Sequence, residues 1–243
     1  MNKKLSEYSR ISLEGLNFIF TNKYFGNLSE IVGDTSNYTK NLDKFLSLAP
    51  INKKVIKLKA EHGDKIIDIS SISNTKKYKV LKGDSLILNI NLATAWIAPA
   101  DCVIIVIFDK ATDIICLIHA SRLTIPKNII PITIQTYLSK TKKSIKSLSA
   151  YLSPSIHSSN YVFEPNVANS LFDKSWNKFI KKVDNKIEVD IKARAISDLK
   201  IAGIEDISID SNNTADGNFF SNSEGRINQD LSGRNGFLIY KSS

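Results

Sequence analysis

The chain has 243 residues, of which 42% are hydrophobic, and a formal net charge of +9. This apolar content excludes a disordered chain, and the length suffices for one large domain or two small ones. No uncharged apolar stretch reaches the roughly 18 residues of a membrane helix, and no apolar segment follows the basic N-terminus as in a signal peptide. We therefore expect a soluble cytoplasmic protein with no membrane partner.

The positive charge does not predict nucleic acid as a partner, because the lysines are scattered along the chain. The densest run, residues 140–146, ends a predicted helix, where cations interact favourably with the helix dipole. This run also has no aromatic residue among its lysines, which stacking on single strands would require. A solvated helix end is therefore the expected role of this run.

Hydrophobic periodicity and turn residues predict the elements in chain order. The predicted strands cover residues 11–20, 54–59, 65–72, 94–98, 100–109, 114–120, 148–152, 207–209 and 237–240. The predicted helices cover residues 37–47, 128–142, 166–183 and 189–202. Residues 84–89 fit either a strand or a short helix. Without an internal repeat or a linker, we expect a single α+β domain over residues 1–243, with mixed sheets and the helices outside.

Two of these strands form a predicted hairpin that places a thiol beside an imidazole. With residues 110–113 as the turn, Cys102 and His119 lie on the same face as diagonal neighbours, roughly 5–8 Å apart. Such a pair serves nucleophilic catalysis or binds a soft metal. Cys116 points to the opposite face and is too far from Cys102 for a disulfide. We interpret Cys116 as a small buried apolar side chain.

A second histidine, His62, also lies at the end of a predicted strand. With Cys102 and His119 it makes a set of three ligands that suits zinc or copper and leaves a fourth coordination position open. The third histidine of the chain, His157, lies in a predicted loop, and we expect it to be exposed. A metal-free alternative is a hydrolase with Cys102 as nucleophile and His119 as base, which leaves His62 without a role.

Several short motifs follow one another in a set order along the chain. They are His62-Gly63, Asp84-Ser85-Leu86, Ala100-Asp101-Cys102, His119-Ala120, Leu152-Ser153-Pro154, Ala202-Gly203-Ile204, Phe219-Phe220-Ser221 and Ser232-Gly233-Arg234. Their types and order resemble the laccase-domain family, the YfiH-type group called multicopper polyphenol oxidases and later purine nucleoside phosphorylases. The resemblance covers nearly the whole chain.

The resemblance implies a four-layer α/β/β/α domain, similar also to bacterial toxin deamidases, whose zinc or copper ion is held by His62, Cys102 and His119. It implies that adenosine, inosine or methylthioadenosine reacts with phosphate to give the free base and ribose 1-phosphate. The resemblance also implies adenosine deamination as a further activity, and the older name of the family implies polyphenol oxidation. We expect purine nucleoside and phosphate as ligands, Cys102 and His119 as catalytic residues, Arg122 or Arg234 on the phosphate, and a monomer or homodimer.

The chain departs from the family at positions that suit phosphate binding. Two arginines of the family are replaced by Asn22 and Leu42. The family's Trp-Arg after the second histidine is also lost, although Arg122 lies three residues after His119. Because bidentate arginines hold a phosphate dianion best, a metal-binding family member that has lost turnover is the alternative. Asp101 is expected to point away from the face of Cys102 and to act structurally.

Overall fold

Two mixed six-stranded sheets form the centre of the fold in the computed structural model, which describes residues 6–50, 53–71 and 78–242. The strands are β1 Tyr8–Leu13, β2 Leu16–Thr21, β3 Lys54–Lys59, β4 Ile66–Ile69, β5 Tyr78–Lys82, β6 Ser85–Asn89, β7 Ala93–Ile97, β8 Val103–Asp109, β9 Ile114–Ala120, β10 Leu148–Leu152, β11 Val162–Phe163, β12 Ile180–Val183, β13 Lys186–Val189, β14 Asp206–Ile209 and β15 Phe237–Lys241. The helices are α1 Tyr38–Leu46, α2 Ile129–Thr141, α3 Pro165–Leu171 and α4 Ile191–Ile201.

The first sheet has the order β1-β2-β15-β7-β3-β5, and the second has the order β14-β10-β8-β9-β6-β4. A small third sheet, β11-β13-β12, completes the strands of the described residues. In the first sheet β3 runs parallel to both β5 and β7. Its carboxyl end and that of β7 therefore meet at one edge, where ligands commonly bind in α/β folds.

Three apolar cores separate four layers. The two large sheets face each other across a core that includes Phe18, Ile56 and Val106. On the outer face of the first sheet, Phe45 of α1 packs edge-on against Trp96, with ring centroids 5.1 Å apart. Helices α2 and α4 cover the outer face of the second sheet. This is the predicted α/β/β/α architecture, and similarity to solved structures reported below confirms the fold class.

The predicted hairpin of β8 and β9 is confirmed together with its register. Ile104 pairs with His119, and Ile107 pairs with Cys116. Cys116 has no exposed surface and belongs to the core beneath α2. Because side chains alternate between faces along a strand, this register also confirms that Cys116 and His119 point to opposite sides of the sheet.

Two predicted elements are wrong because the backbone changes direction within the predicted segment, namely the strand over residues 11–20 and the helix over residues 166–183, and a third element is shorter than predicted. The strand over residues 11–20 is instead the hairpin β1–β2, since Glu14 and Gly15 both have positive φ, at 50° and 78°. Paired positive φ angles of this kind make the tight turn that suits a two-residue hairpin. The predicted strand over residues 65–72 shortens to β4, and its last residue lies outside the described residues.

The predicted helix over residues 166–183 divides into α3, a 3₁₀ segment and β12. Phe172 and Asp173 are extended, and the Asp173 side chain accepts a hydrogen bond from the Ser175 amide, which starts the 3₁₀ segment. Strand β12 then pairs with β13 through a turn at Asp184, whose φ is 52°. Backbone pairing between these strands therefore overrides the helical spacing of the apolar residues.

In the described part of the chain no helix combines the length and the apolar character that crossing a bilayer requires.

Candidate metal centre

The three predicted metal ligands lie together where the strand ends of both sheets meet. His62 follows β3, Cys102 lies between β7 and β8, and His119 is near the carboxyl end of β9. The nearest ligand atoms of the three side chains all lie within 4.8 Å of one another. The rings of His62 and His119 are nearly perpendicular, with centroids 5.0 Å apart. The structure thus brings together all three residues.

The donor set fits zinc or copper. A tetrahedral zinc ion with nitrogen and sulfur ligands holds these atoms roughly 3.5 Å apart, so the observed spacing needs only small side-chain movements. Two imidazoles and one thiolate are also the ligands that copper prefers. The described residues contain one cluster of three or more such ligands. Within this part of the chain, the geometry therefore supports a centre for a single ion.

Backbone conformation at the site is unusual at two positions. His62 has a φ of 59° and Asp101 a φ of 76°, both in the left-handed region. Residues other than glycine adopt this region at a cost, of order 1–3 kcal/mol, and such strain is typical of functional sites. The turn at Asp101 also explains why β8 begins at Val103 rather than at the predicted Ala100.

Asp84 supports two of the ligands, although the sequence analysis assigned it no role. It is fully buried, and its Oδ1 accepts hydrogen bonds from the Nδ1 of His119 at 2.9 Å and from the His62 amide at 3.0 Å. Its Oδ2 accepts one from the Gly63 amide at 2.7 Å. A carboxylate that orients a histidine in this way fixes the ring and raises its basicity as a ligand. The Asp84-Ser85-Leu86 motif was the available signal in the sequence.

Cys102 and His119 form a charged pair. Burial by itself raises the pKa of the Cys102 thiol, but the adjacent His119 and hydrogen bonds from His119 and His62 lower it to about 6. Burial by itself lowers the pKa of His119, but the Cys102 thiolate and the Asp84 carboxylate raise it to about 9. The thiolate, which is the form that binds metals, is therefore present at neutral pH.

This pair leads to a prediction for the metal-free protein. Its thiolate absorbance in the ultraviolet should rise with a midpoint near pH 6, from Cys102. Burial raises the pKa of Cys116 well above its ordinary value, so Cys116 should not contribute in that range. Replacement of His119 by glutamine should move the midpoint upward, because the stabilising cation is removed. A midpoint at the ordinary thiol pKa of about 8.5 in the unsubstituted protein would contradict the pairing.

Asp101 connects the site to the C-terminal loop. Its Oδ1 accepts a hydrogen bond from the Thr214 hydroxyl at 2.8 Å, and its Oδ2 accepts one from the Ser223 amide at 2.7 Å. Asp101 is buried, so these contacts satisfy its carboxylate. They also place Asn222 and its neighbours beside the cluster.

Two cavities meet at the cluster, since His62, Cys102 and Asn222 line both of them. We call the first the aromatic lobe. Its walls also include Arg122, Ile156, Tyr161, Phe163, Leu171 and Arg226. We call the second the lysine lobe. Its walls also include Glu30, Lys57, Lys59, His119 and Arg234.

The two predicted phosphate-binding residues lie in different lobes. The guanidinium of Arg122 lies 5.9 Å from the centre of the Phe172 ring, in the aromatic lobe. Arg234 lies in the lysine lobe, where its Nη1 donates to the Gly233 carbonyl at 2.7 Å. Burial lowers the pKa of Arg234, whereas the negative charges of Cys102 and Asp101 oppose that shift.

Three cations of these lobes, Lys57, Lys59 and Arg226, were not predicted. Lys57 belongs to β3, in which lysines alternate with apolar residues, a pattern typical of a half-exposed strand, so the sequence carried no signal of its burial. Arg226 lies in a polar loop far along the chain from the ligands. His157 lies away from the cluster, with its Nε2 at 2.9 Å from the Ser211 carbonyl oxygen.

A four-layer α/β/β/α fold with a His–Cys–His cluster between two cavities defines the class of protein. The family described as multi-copper polyphenol oxidoreductase laccase matches residues 21–241, and the chain belongs to that family. This confirms the resemblance that the short motifs indicated.

Solved structures are similar over the whole chain. A hypothetical protein YfiH of Bacillus licheniformis has a TM-score of 0.81 at 19% identity and covers 98% of each chain. YlmD of Geobacillus stearothermophilus has a TM-score of 0.81 at 17% identity, covering 100% of this chain and 98% of its own. The Neisseria meningitidis protein NMB0706 has a TM-score of 0.75 at 16% identity, covering 98% and 100%. These likenesses establish the fold. No curated protein matches the sequence.

Proposed function

We propose that this protein is a metal-dependent purine nucleoside phosphorylase that uses adenosine, inosine or methylthioadenosine. One observation carries the proposal: the His62–Cys102–His119 cluster lies between an aromatic cavity and a cavity lined by cations. A nucleoside and a phosphate need these two surroundings, and the bond that breaks must lie between them.

The aromatic lobe suits a purine base and its ribose. Tyr161 and Phe163 pack edge-to-face at 4.8 Å, and Ile156 and Leu171 extend the apolar wall. The polar groups of the same cavity include Asn222, Arg122 and Arg226. In small-molecule sites apolar walls give affinity and polar groups of this kind give orientation.

Cations in both lobes support turnover over the alternative of a family member that only binds metal. The family arginines replaced by Asn22 and Leu42 are absent, but Lys57 and Arg226 join Arg122 and Arg234 along the cavity walls. Positively charged side chains hold a phosphate dianion and stabilise the charge that develops on it.

In the proposed reaction a phosphate oxygen bonds to the anomeric carbon of the ribose while the carbon–nitrogen bond to the base breaks. The base leaves with the electron pair and gains the proton that the hydrogen phosphate loses on becoming the ester. Asp84 keeps His119 oriented, and the cations of the lysine lobe position the phosphate. A zinc or copper ion held by His62, Cys102 and His119 would supply a Lewis acid next to the substrate.

The test combines metal analysis with a substrate assay. Elemental analysis of the purified protein should find about one zinc or copper ion per chain, as one three-ligand site implies. Incubation with adenosine, inosine or methylthioadenosine should release the free base only when phosphate is present. Conversion of adenosine to inosine without phosphate would instead indicate a deaminase. A metal-loaded protein that leaves all three nucleosides unchanged would contradict the proposal and favour a binding role.

A second candidate function is a metal-free Cys–His hydrolase, and one arrangement favours it. Asp84, His119 and Cys102 follow one another in hydrogen-bond contact, as a triad requires. The hydrogen bond from His62 to Cys102 has no place in that mechanism. Activity that survives complete removal of metal by a chelator would favour the hydrolase.

A further inference from the structure

Lys57 is a buried cation in the lysine lobe. Lys57 is only 7% exposed, and it lies on the face of β3 that is turned away from the core between the sheets. The Nζ lies 4.6 Å from the centre of the Trp96 ring, a distance that stabilises an ammonium group. Because a buried charge is costly unless it is paired, the identity of its partner is informative.

The partner of Lys57 is Glu30, which lies on the loop before α1. Its Oε1 is 3.0 Å from the Lys57 Nζ, and it accepts a hydrogen bond from the Tyr38 hydroxyl at 2.8 Å. The side chain of Glu30 is nevertheless 49% exposed. Hydrogen bonds from Lys57 and Tyr38, followed by the charges of Lys57 and Lys59, keep the pKa of Glu30 below its usual value. A carboxylate therefore lies among cations at the rim of the lobe.

Arg234 is a second cation of the same lobe, and it is independent of that pair. Within the described ranges, no carboxylate forms an ion pair with its guanidinium. A guanidinium that faces a cavity without such a partner has donors for an anion, which guanidinium groups bind in a bidentate manner. The cavity is the one that contains Cys102 and His119.

We propose that the lysine lobe is an oxyanion subsite in which Lys57 and Arg234 bind a phosphate group. The Glu30 carboxylate forms an ion pair with Lys57 until the phosphate enters and displaces it. Glu30 is half-exposed, so it loses little when it turns into solvent, where surface ion pairs contribute little. The incoming dianion brings more charge and more acceptor oxygens to Lys57 than one carboxylate does. The choice of phosphate rests on the proposed function, whereas the subsite itself rests on the cations.

The experiment measures phosphate binding directly by titration calorimetry on the zinc-loaded protein, with no nucleoside present. Lys57→Met should weaken binding of inorganic phosphate about tenfold or more, as the loss of a charged hydrogen bond does. Glu30→Gln should tighten binding severalfold, because the competing carboxylate is removed. Lys79→Met is the matched control. It removes an exposed lysine from the neighbouring strand β5, and phosphate affinity should not change.

The subsite would be overturned if Lys57→Met bound phosphate as tightly as the unsubstituted protein, or if Glu30→Gln bound it no more tightly. The ion pair would then serve only to hold the loop before α1 in place. Because Glu30 is half-exposed, the Glu30→Gln variant should fold, and it tests the subsite even if the Lys57→Met variant does not fold. Titration with ribose 1-phosphate in parallel tells whether the lobe takes free phosphate or a phosphate ester.

Failure of this subsite and failure of the proposed function are distinguishable. Lys57-dependent phosphate binding in a protein that cleaves no nucleoside would contradict only the function. Phosphorolysis with an unchanged KM for phosphate in both variants would contradict only the subsite.

Discussion

Under the proposed function, replacing Cys102 by alanine should abolish metal binding and lower phosphorolysis about a thousandfold or more, since a metal ion supplies several kcal/mol of transition-state stabilisation. The thiolate is the only anionic ligand of the three, and the pKa of about 6 keeps it deprotonated at neutral pH. Two imidazoles alone bind zinc or copper far more weakly. Elemental analysis after gel filtration measures the first effect, and kcat/KM for the best nucleoside measures the second.

The matched control is Cys116→Ala, because it removes the other cysteine of the chain. Cys116 lies in the core beneath α2 and has no exposed surface, so its loss should cost on the order of 1 kcal/mol of stability. Metal content and kcat/KM should be those of the unsubstituted protein. A Cys102→Ala protein that still carried one ion per chain would show that the centre lies elsewhere.

Replacing Asp84 by asparagine should weaken metal binding about 10–100-fold, as the loss of a group that orients a ligand histidine commonly does. The carboxylate accepts from the Nδ1 of His119 and from the amides of His62 and Gly63, and an amide group cannot accept all of these bonds. The free energy of unfolding should fall on the order of 2 kcal/mol, because buried donors lose their acceptor. Competition with a chromophoric chelator and denaturant unfolding measure the two quantities.

The same substitution should alter the pH dependence of stability. Although burial by itself raises the pKa of Asp84, hydrogen bonds from His119 and the Gly63 amide lower it below the usual value. The ionised carboxylate therefore stabilises the folded state above the usual aspartate pKa of about 3.9, and that contribution is lost as the pH falls through the lowered pKa. Asp84→Asn should lack this part of the acid dependence.

Asp68→Asn is the control for Asp84→Asn. Asp68 is a partly exposed carboxylate of β4 that pairs with Lys140, away from the cluster. Its replacement should leave metal affinity unchanged and alter stability by less than about 1 kcal/mol, as is usual for surface pairs. Equal zinc affinity of Asp84→Asn and the unsubstituted protein would mean that Asp84 holds only the backbone of the loop.

Much of the site could be predicted because its closest contact is local. Cys102 and His119 lie on one hairpin, and the alternation of side chains along paired strands places them together whatever surrounds the hairpin. His62 is different, since no short-range rule connects it with the hairpin. It was found from its position after a strand and from the order of motifs that resembles a family.

The errors in the fold also have a local cause. Apolar residues between 166 and 183 have helical spacing, but Ile180–Val183 joins a strand that only the folded chain supplies. At Glu14 and Gly15 one predicted strand is in fact two, because the turn with positive φ at both residues lies within a single apolar stretch. Periodicity measures which residues face the core, and it does not measure where the backbone reverses.

The thiol–imidazole pair follows from the sequence because strand alternation and turns are local properties. The layered α/β class and His62 as third candidate ligand follow from the order of motifs along the whole chain, which resembles a family. Only the tertiary structure decided that Asp84 supports His119, that Lys57 is buried beside Trp96 and that Arg226 and Arg234 line the two lobes. Each of these depends on contacts between elements far apart in the chain, where burial and charge pairing have no local signature. The full set of cations that line the two lobes is therefore visible only in the fold.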